Sequence, residues 1–235
     1  MSEMRMKKPD SLGESLINYG FPYIFFAACV ILAGFPAFAS DAENPDSFSY
    51  RGIEIFQETL LLGNSDKDSA PSPFMGALGT SLRFDLAGRW STSPELALTI
   101  MDYLYRDGKA HPALFEETNA VKALKIFFAI PVLYSFRPAD DLSVFLRTGA
   151  VFSFNIPIKA SGDASSGDVA EYFMEKGRFF HWEACVGFEW DTKESLAFTS
   201  RARLIVPVYR LWDGDKMPLY DGMMAGVSFG LRFRP

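Results

Sequence analysis

The sequence predicts an all-β fold, an eight-stranded antiparallel up-and-down barrel that spans a membrane. Eight segments carry apolar side chains at every second position, which is the period of a strand with two unlike faces. The connections alternate between short and long, and charges of both signs recur on the face opposite the apolar one. An even strand number with connections of alternating length is typical of a transmembrane barrel.

The composition limits the possible classes of function. The chain has 235 residues, of which 49% are hydrophobic, 15% aromatic and 22% charged. These fractions exclude a disordered chain, and the formal net charge of −6 argues against nucleic acid as a partner. Two cysteines and two histidines are too few for a disulfide framework or a Cys/His metal cage. We therefore expect no metal and no cofactor.

The amino-terminal segment has the pattern of a secretory signal peptide. Basic residues precede an apolar run over Phe21–Phe35, and Ala37-Phe38-Ala39 has the small-residue pattern of a cleavage site. A retained membrane helix and lipidation of Cys29 are the alternatives, but prolines and a glycine interrupt the apolar run. We predict a signal peptide at 1–39 and the barrel at 40–235.

The strands follow from the alternation of apolar and polar residues. In the seventh, Leu204 and Val206 share one face while Arg201 and Arg203 share the other. The first and third are less regular. The predicted strands lie at 50–62, 75–87, 95–106, 121–137, 142–158, 179–191, 195–212 and 223–233.

The connections between these strands are of two kinds. The shorter ones are predicted at 88–94, 138–141 and 192–194. The longer ones are predicted at 63–74, 107–120, 159–178 and 213–222, and they are rich in Gly, Ser, Asp, Asn and Pro, as loops are. A helical turn is predicted within the second long connection, at Pro112–Glu117.

Alternation alone does not tell which face points inward, because a soluble barrel or sandwich alternates too. Trp182 and Trp190 lie eight residues apart on one apolar face, which places them about 20 Å apart along the membrane normal, as in two aromatic girdles. Charges of both signs on the polar face favour an interior of ion pairs, because an isolated buried charge is costly. That face carries Arg83, Lys125, Arg137, Arg147, Arg201, Arg203, Arg232, Glu54, Glu58, Asp85, Glu183 and Glu189.

The last strand, Gly226–Phe233, resembles the closing strand of bacterial outer-membrane barrels, although Arg234-Pro235 follows its final aromatic residue. Length and strand number are similar to those of small eight-stranded families, of which the OmpW-like family is the nearest. The resemblance implies an outer-membrane location, outer-membrane lipid and the barrel-assembly machinery as partners, and passage of small apolar solutes sideways into the membrane.

Function is expected in the loops, in a narrow internal cavity or at a gap in the wall. Eight strands enclose a space that inward side chains largely fill, so we predict a narrow conduit or binder for small apolar solutes rather than a wide channel. Pro157 and Pro207 fall within strand patterns near one rim, where a residue without an N–H weakens pairing. They are the candidates for a lateral window; strand ends or bulges are the alternative reading.

The predicted pore-lining residues carry most of the inward charge. In the predicted register Glu183 faces Arg203, and Glu189 faces a position near Ala197. The candidates are Arg83, Lys125, Arg147, His181, Glu183, Glu189, Arg201, Arg203 and Arg232.

No catalytic residues are predicted, and Cys185 is expected to be a packed inner residue. His181 and Glu183 share one face, but no serine follows at the spacing of a hydrolase triad; Ser200 or Ser228 would have to come from other strands. The long connections carry net acidic charge. A non-transporting structural or adhesive barrel that acts through these acidic loops is therefore the alternative function.

Overall fold

The computed structural model describes residues 49–63, 74–106, 109–113, 119–175, 179–193, 195–208 and 223–235. The predicted signal peptide, the loop at 213–222, the end of the seventh predicted strand at 209–212 and most of the loop at 63–74 lie outside these residues. Within them, no helix is both long and apolar enough to cross a membrane.

Ten strands and one helix make up the described part of the chain. In chain order they are β1 (Ser49–Leu62), β2 (Phe74–Ala87), β3 (Trp90–Thr92), β4 (Glu95–Arg106), β5 (Lys109–Ala113), β6 (Val121–Ala139), β7 (Leu142–Ala160), α1 (Ser166–Glu175), β8 (Phe180–Lys193), β9 (Leu196–Pro207) and β10 (Met224–Phe233).

The eight long strands close into a ring. Each pairs antiparallel with its neighbours in the order β1, β2, β4, β6, β7, β8, β9, β10, and β10 pairs again with β1. Over the length where all eight strands pair, the closed ring leaves no sheet edge, so backbone donors and acceptors are satisfied within the wall. The prediction of an eight-stranded antiparallel up-and-down barrel is confirmed.

The two short strands were not predicted. β3 pairs with β2 and β6, as β4 does, and only Ser93-Pro94 separates β3 from β4. β3 and β4 together occupy one strand position in the wall, and the strand is interrupted at Pro94, which has no N–H to donate. β5 pairs with β4 and forms a hairpin that continues it, so the predicted loop at 107–120 was wrong at 109–113.

The ends of the barrel differ, and we call them the turn end and the loop end. The turn end carries the short connections at Gly88–Arg89 and Asp140–Asp141, and both β1 and β10 have their outer termini there. Gly88 has a φ of 56°, which suits a glycine in a tight turn. The three predicted short connections all lie at this end.

Helix α1 lies at the loop end, within the connection at 159–178 that was predicted as a loop. The Ser165 hydroxyl caps its first turn by accepting a hydrogen bond from the Asp168 N–H at 3.2 Å. Val169, Tyr172 and Phe173 follow at helical spacing and pack into the end of the barrel. The predicted helical turn at Pro112–Glu117 was wrong in the described part, where residues 109–113 form β5.

Strands β6 and β7 rise higher at the loop end than β8 does. The β6–β7 ladder continues to Val121 and Ala160, whereas the β7–β8 ladder ends at Phe152 and Phe180. Within the described residues, the edge of β7 above Ser153 therefore has no strand partner on the β8 side.

The distribution of side chains confirms the predicted orientation. Apolar side chains alternate outward along the wall, and Trp182 and Trp190 are 48% and 53% exposed, while charged side chains point inward and are buried. The indole N–H groups of these tryptophans donate to Thr148 and Asp141. The barrel thus has the architecture of an outer-membrane protein, with an apolar outer surface.

Three predicted faces need correction at the turn end. Arg137 is exposed because it lies beyond the end of the β3–β6 ladder, at an irregularity in the β6–β7 ladder, and Asp85 is half-buried in an ion pair with Arg51. Phe84, which the alternation of the second predicted strand places on the lipid side with Leu78, is fully buried, with its ring 5.7 Å from that of Tyr50. The cause is a bulge in β1 between Tyr50 and Gly52, which shifts the wall at this point.

Candidate functional site

Ten buried ionic side chains, five arginines and five glutamates, fill the middle of the barrel and its turn end. Each has a relative exposure of 9% or less, and seven of the eight long strands contribute at least one. We call this set the ionic core. Its members are Arg83, Arg147, Arg201, Arg203, Arg232, Glu54, Glu58, Glu95, Glu183 and Glu189.

Glu95 is the common acceptor of the ionic core. Its Oε2 lies 2.8 Å from Nη1 of both Arg147 and Arg201, and its Oε1 lies 2.9 Å from Nη1 of Arg203. Pro94 ends the interruption between β3 and β4, so Glu95 is the first residue of β4 and points inward. One carboxylate thereby holds guanidinium groups from β7 and β9 together.

Arg203 and Arg147 connect Glu95 to the glutamates around it. Arg203 also pairs with Glu58 and, at 3.3 Å, with Glu183, to which Arg147 donates through Nε. The predicted contact between Glu183 and Arg203 is present, but it is diagonal. In the observed register Glu183 faces Ile205.

The register between β8 and β9 differs from the prediction: each residue of β8 faces a position two residues further along β9. β8 and β9 stay paired up to Lys193 and Leu196, so the turn lies later in the chain than predicted and Glu189 faces Thr199 rather than Ala197; a bulge between Asp191 and Lys193 changes the register by one residue. Glu189 was predicted to face a position near Ala197, and the residue opposite it is Thr199, two positions further along β9.

A second group of ion pairs lies closer to the turn end. Arg232 donates to Glu54 at 2.8 Å and also pairs with Glu189, which lies 3.6 Å from Arg83. Arg83 donates in addition to the Ser135 hydroxyl at 2.8 Å. Glu189 thus joins charged side chains from β2 and β10.

Arg234, which follows the last aromatic residue, closes this group. It pairs with both Asp191 and Glu189. Burial tends to lower the pKa of Arg234, but the hydrogen bonds that it donates to the two carboxylates raise it above its ordinary value. Arg234, which follows Phe233, therefore contributes ion pairs to the structure of the barrel.

Aromatic rings and glycines fill the space that the ion pairs leave. The Arg201 guanidinium lies 4.2 Å from the centre of the Phe56 ring. A Cβ atom on Gly79 would lie 2.2 Å from that ring, and one on Gly187 would lie 2.4 Å from Phe145. These glycines admit the rings, so the interior is tightly packed at this level.

The loop end of the interior is mainly apolar, with Lys125 and His181 among its buried polar residues. Its buried apolar side chains form one cluster, which α1 covers, and the ring of Phe173 lies 4.8 Å from that of Tyr103. We call this the loop-end cluster. Its members are Phe56, Leu60, Leu62, Met75, Ala97, Met101, Tyr103, Ala110, Val121, Ala123, Phe127, Ala129, Val151, Val169, Tyr172, Ile205 and Met224.

Two predicted lining residues lie apart from the ionic core. Lys125 is buried, with Nζ 5.4 Å from the centre of the Phe127 ring. His181 is buried on the inner face, opposite Val151 on one side and Pro207 on the other.

The serines considered for a hydrolase triad do not lie with His181. Ser200 is on the outward face of β9, and the Ser228 hydroxyl accepts a hydrogen bond from Arg201 at 2.7 Å. Glu183 is held by arginines of the ionic core. Cys185 is buried next to Phe145 and Leu133, as a packed residue.

The two candidate window prolines have different surroundings. Pro157 lies on the part of β7 without a strand partner on the β8 side, next to a bulge where Ala123 pairs with it and Lys122 pairs with Lys159. Pro207 is buried at the end of β9 and pairs with His181, and the next residue, Val208, donates its N–H to Phe180. The β8–β9 ladder is therefore continuous at Pro207.

Sequence reasoning missed Glu95 and Arg234. Glu95 begins the third predicted strand and has the same parity as the inward-facing Ala97 and Thr99, which could have identified it. Arg234 lies outside the strand pattern, so no alternation pointed to it.

No protein-family model and no curated protein sequence matches the chain. Among solved structures, Neisserial surface protein A has 9% identity and a TM-score of 0.49, with 80% of this chain and 99% of that chain covered. Ail of Yersinia pestis, in complex with the heparin analogue sucrose octasulfate, has 11% identity and a TM-score of 0.45, with 79% and 98% covered. OprG from Pseudomonas aeruginosa has 8% and 0.41, with 79% and 94% covered. The fold assignment rests on the closed strand order and the side-chain distribution.

Proposed function

We propose that this outer-membrane barrel takes up small apolar solutes at its loop end and releases them sideways into the membrane between β7 and β8. The main support is that β7 continues beyond the last residue that pairs with β8, and that this part of β7 borders the loop-end cluster. Solute enters among the side chains of the loop-end cluster and leaves through the wall. The loop end faces outward, as the longer connections of such barrels do.

A straight route through the barrel is not part of this proposal. The ionic core lies between the loop-end cluster and the turn end, and its side chains are buried and paired with one another. An apolar solute would have to separate these pairs in a desolvated interior, which is costly. The ionic core therefore acts as a plug, and the predicted pore-lining residues in it act as a barrier.

The loop-end cluster suits ligands of variable shape. Met75, Met101 and Met224 are among its members, and methionine is unbranched and adapts to irregular contacts. Along the β7 edge, Ile158 is 57% exposed. Apolar side chains thus continue from the interior to the lipid side at the position of the proposed window.

The test compares Pro157→Val with Pro207→Val as the matched control. Valine at 157 supplies an N–H and a strand-forming residue on the unpaired edge, whereas Pro207 lies in a continuous ladder. We expect slower uptake of a neutral apolar fluorophore into vesicles with a lipopolysaccharide outer leaflet for Pro157→Val alone. Equal rates in all three proteins would remove the window, and a wild-type rate equal to that of protein-free vesicles would remove the proposed function.

The structural or adhesive alternative stays a prediction. Its acidic loops lie mostly outside the described residues, so no contact within the described part favours it. Cleavage of the signal peptide and recognition by the barrel-assembly machinery also stay predictions.

A further inference from the structure

The buried charges of the barrel interior do not balance. The ionic core contains five cations and five anions, and the other buried carboxylate of the described residues, Asp102, pairs with the partly exposed Lys122 at 3.3 Å, which leaves Lys125, with 6% exposure, as a sixth buried cation. Within the described residues, no carboxylate lies within salt-bridge distance of its ammonium and no hydrogen bond involves it; its contact is the face of the Phe127 ring. A buried ammonium without a counter-ion is costly, because it has lost its hydration.

The ionic core does not supply that counter-ion. Glu95 lies four residues below Thr99 on β4, which is about 13 Å along the strand, and Thr99 is the register partner of Lys125. The Glu95 carboxylate already accepts from three arginines. Lys125 therefore lies too far along the strands to pair with the carboxylates of the ionic core.

The surroundings of Lys125 combine polar groups with an apolar wall. On the other side of β6, Lys125 pairs in register with Asn155, whose Oδ1 accepts from the Tyr103 hydroxyl at 2.9 Å. With its oxygen so engaged, Asn155 presents its NH2 group as a further donor. Met101, Tyr103 and Phe127 of the loop-end cluster lie on the same inner faces.

We propose that Lys125 binds the carboxylate of a small amphiphile, such as a short-chain or medium-chain fatty acid, whose hydrocarbon part lies in the loop-end cluster. The inference rests on the proposed function, because the ligand uses the same entry. The ammonium takes one carboxylate oxygen and the Asn155 amide donates to the other. A monoanion fits because one uncompensated cation is present, and the arginine forks that suit phosphate are occupied by glutamates.

The test measures binding of hexanoate and of 1-hexanol to the folded protein in nanodiscs, by competition with a bound apolar fluorophore. We expect wild type to bind hexanoate at least tenfold more tightly than 1-hexanol. Lys125→Met loses this preference with unchanged 1-hexanol affinity, and Lys125→Arg keeps it. The control is Lys122→Met, which removes a partly exposed lysine of the same strand that pairs with Asp102 at 3.3 Å.

Each contrary outcome has its own meaning. Equal affinity of wild type for the two probes overturns the carboxylate site even if no variant folds. Unchanged hexanoate binding by Lys125→Met also overturns it, and displacement of hexanoate by equimolar chloride would identify a small inorganic anion as the ligand instead. Absence of 1-hexanol binding to wild type contradicts the proposed function itself, so the two failures are distinguishable.

Discussion

Arg203 on β9 reaches across the full width of the barrel to Glu95 on β4, with Nη1 2.9 Å from Oε1. Four strand pairings separate β9 from β4 in either direction around the ring. A side chain from one wall therefore holds the opposite wall directly. This contact both closes the lumen and stabilises the barrel.

Glu95→Gln is expected to destabilise the barrel strongly. The change leaves three buried guanidinium groups sharing a neutral acceptor, and loss of one partner of a buried ionic group typically costs about 3–5 kcal/mol. Urea unfolding in lipid vesicles, followed by tryptophan fluorescence, measures the free energy of unfolding. Asp85→Asn is the control, because it removes a carboxylate from an exposed pair with Arg51 and should cost less than about 1 kcal/mol. Equal stability of the two variants would contradict the role of Glu95.

Gly79→Ala is expected to destabilise the barrel by about 1–3 kcal/mol through overpacking. Its Cβ would lie 2.2 Å from the Phe56 ring, whereas a Cβ on Gly76 of the same strand meets nothing within 4 Å. Gly76→Ala should therefore be close to neutral in the same unfolding experiment. The double variant Gly79→Ala/Phe56→Leu replaces the ring by a smaller side chain and should recover part of the lost free energy of unfolding. No recovery would mean that contact with the ring is not the cause of the destabilisation.

Phe173→Ala is expected to speed apolar uptake several-fold. Phe173 packs on Tyr103 and covers the loop-end cluster, so its truncation opens the entry while leaving the ionic core unchanged. The measurement is the vesicle uptake rate of the neutral fluorophore. Met174→Ala is the control on the same helix, since Met174 is 65% exposed. A rate that falls, or that rises equally in both variants, would count against entry beneath α1.

Single-channel recordings should show no steady ion conductance for the wild-type barrel. The ionic core fills the cross-section with paired side chains, and ions would have to pass through a desolvated, neutralised network. Lipid bilayers with the inserted protein provide the measurement, and bilayers treated with the unfolded chain provide the control. Regular conductance steps would show that the interior contains an open aqueous path.

The fold could be predicted because a strand with two unlike faces has a strict alternation of apolar and polar residues. A shift of one residue would place every side chain on the wrong face, so the alternation defines the orientation of the strand. On β8 every second residue from His181 to Glu189 is buried and every residue between them is exposed, and this pattern is legible in the sequence. The partners of those residues were harder to predict. Because β8 and β9 pair up to Lys193 and Leu196, with a bulge after Asp191, each residue of β8 faces a position two residues further along β9 than predicted, and no local sequence pattern indicates this.

The irregular elements could not be read from periodicity. β3 is too short to show alternation, β5 contains Pro112, and α1 has only ten residues, of which Val169, Tyr172 and Phe173 pack into the barrel. The inward direction of Glu95 follows from its parity with Ala97 and Thr99, but its pairing with arginines of β7 and β9 depends on the closure of the ring. The excess charge at Lys125 emerges only when the partners of all other inward charges are known.

The central claim is that charged side chains face inward and apolar ones face lipid, and cysteine scanning along β9 tests it most directly. Single cysteines at positions 198–206, in a chain lacking other cysteines, are reacted with a thiol-specific spin label in vesicles. We predict that positions 198, 200, 202, 204 and 206 label and respond to oxygen dissolved in lipid, whereas 199, 201, 203 and 205 react only after unfolding. The opposite alternation, or labelling without a period of two, would contradict it.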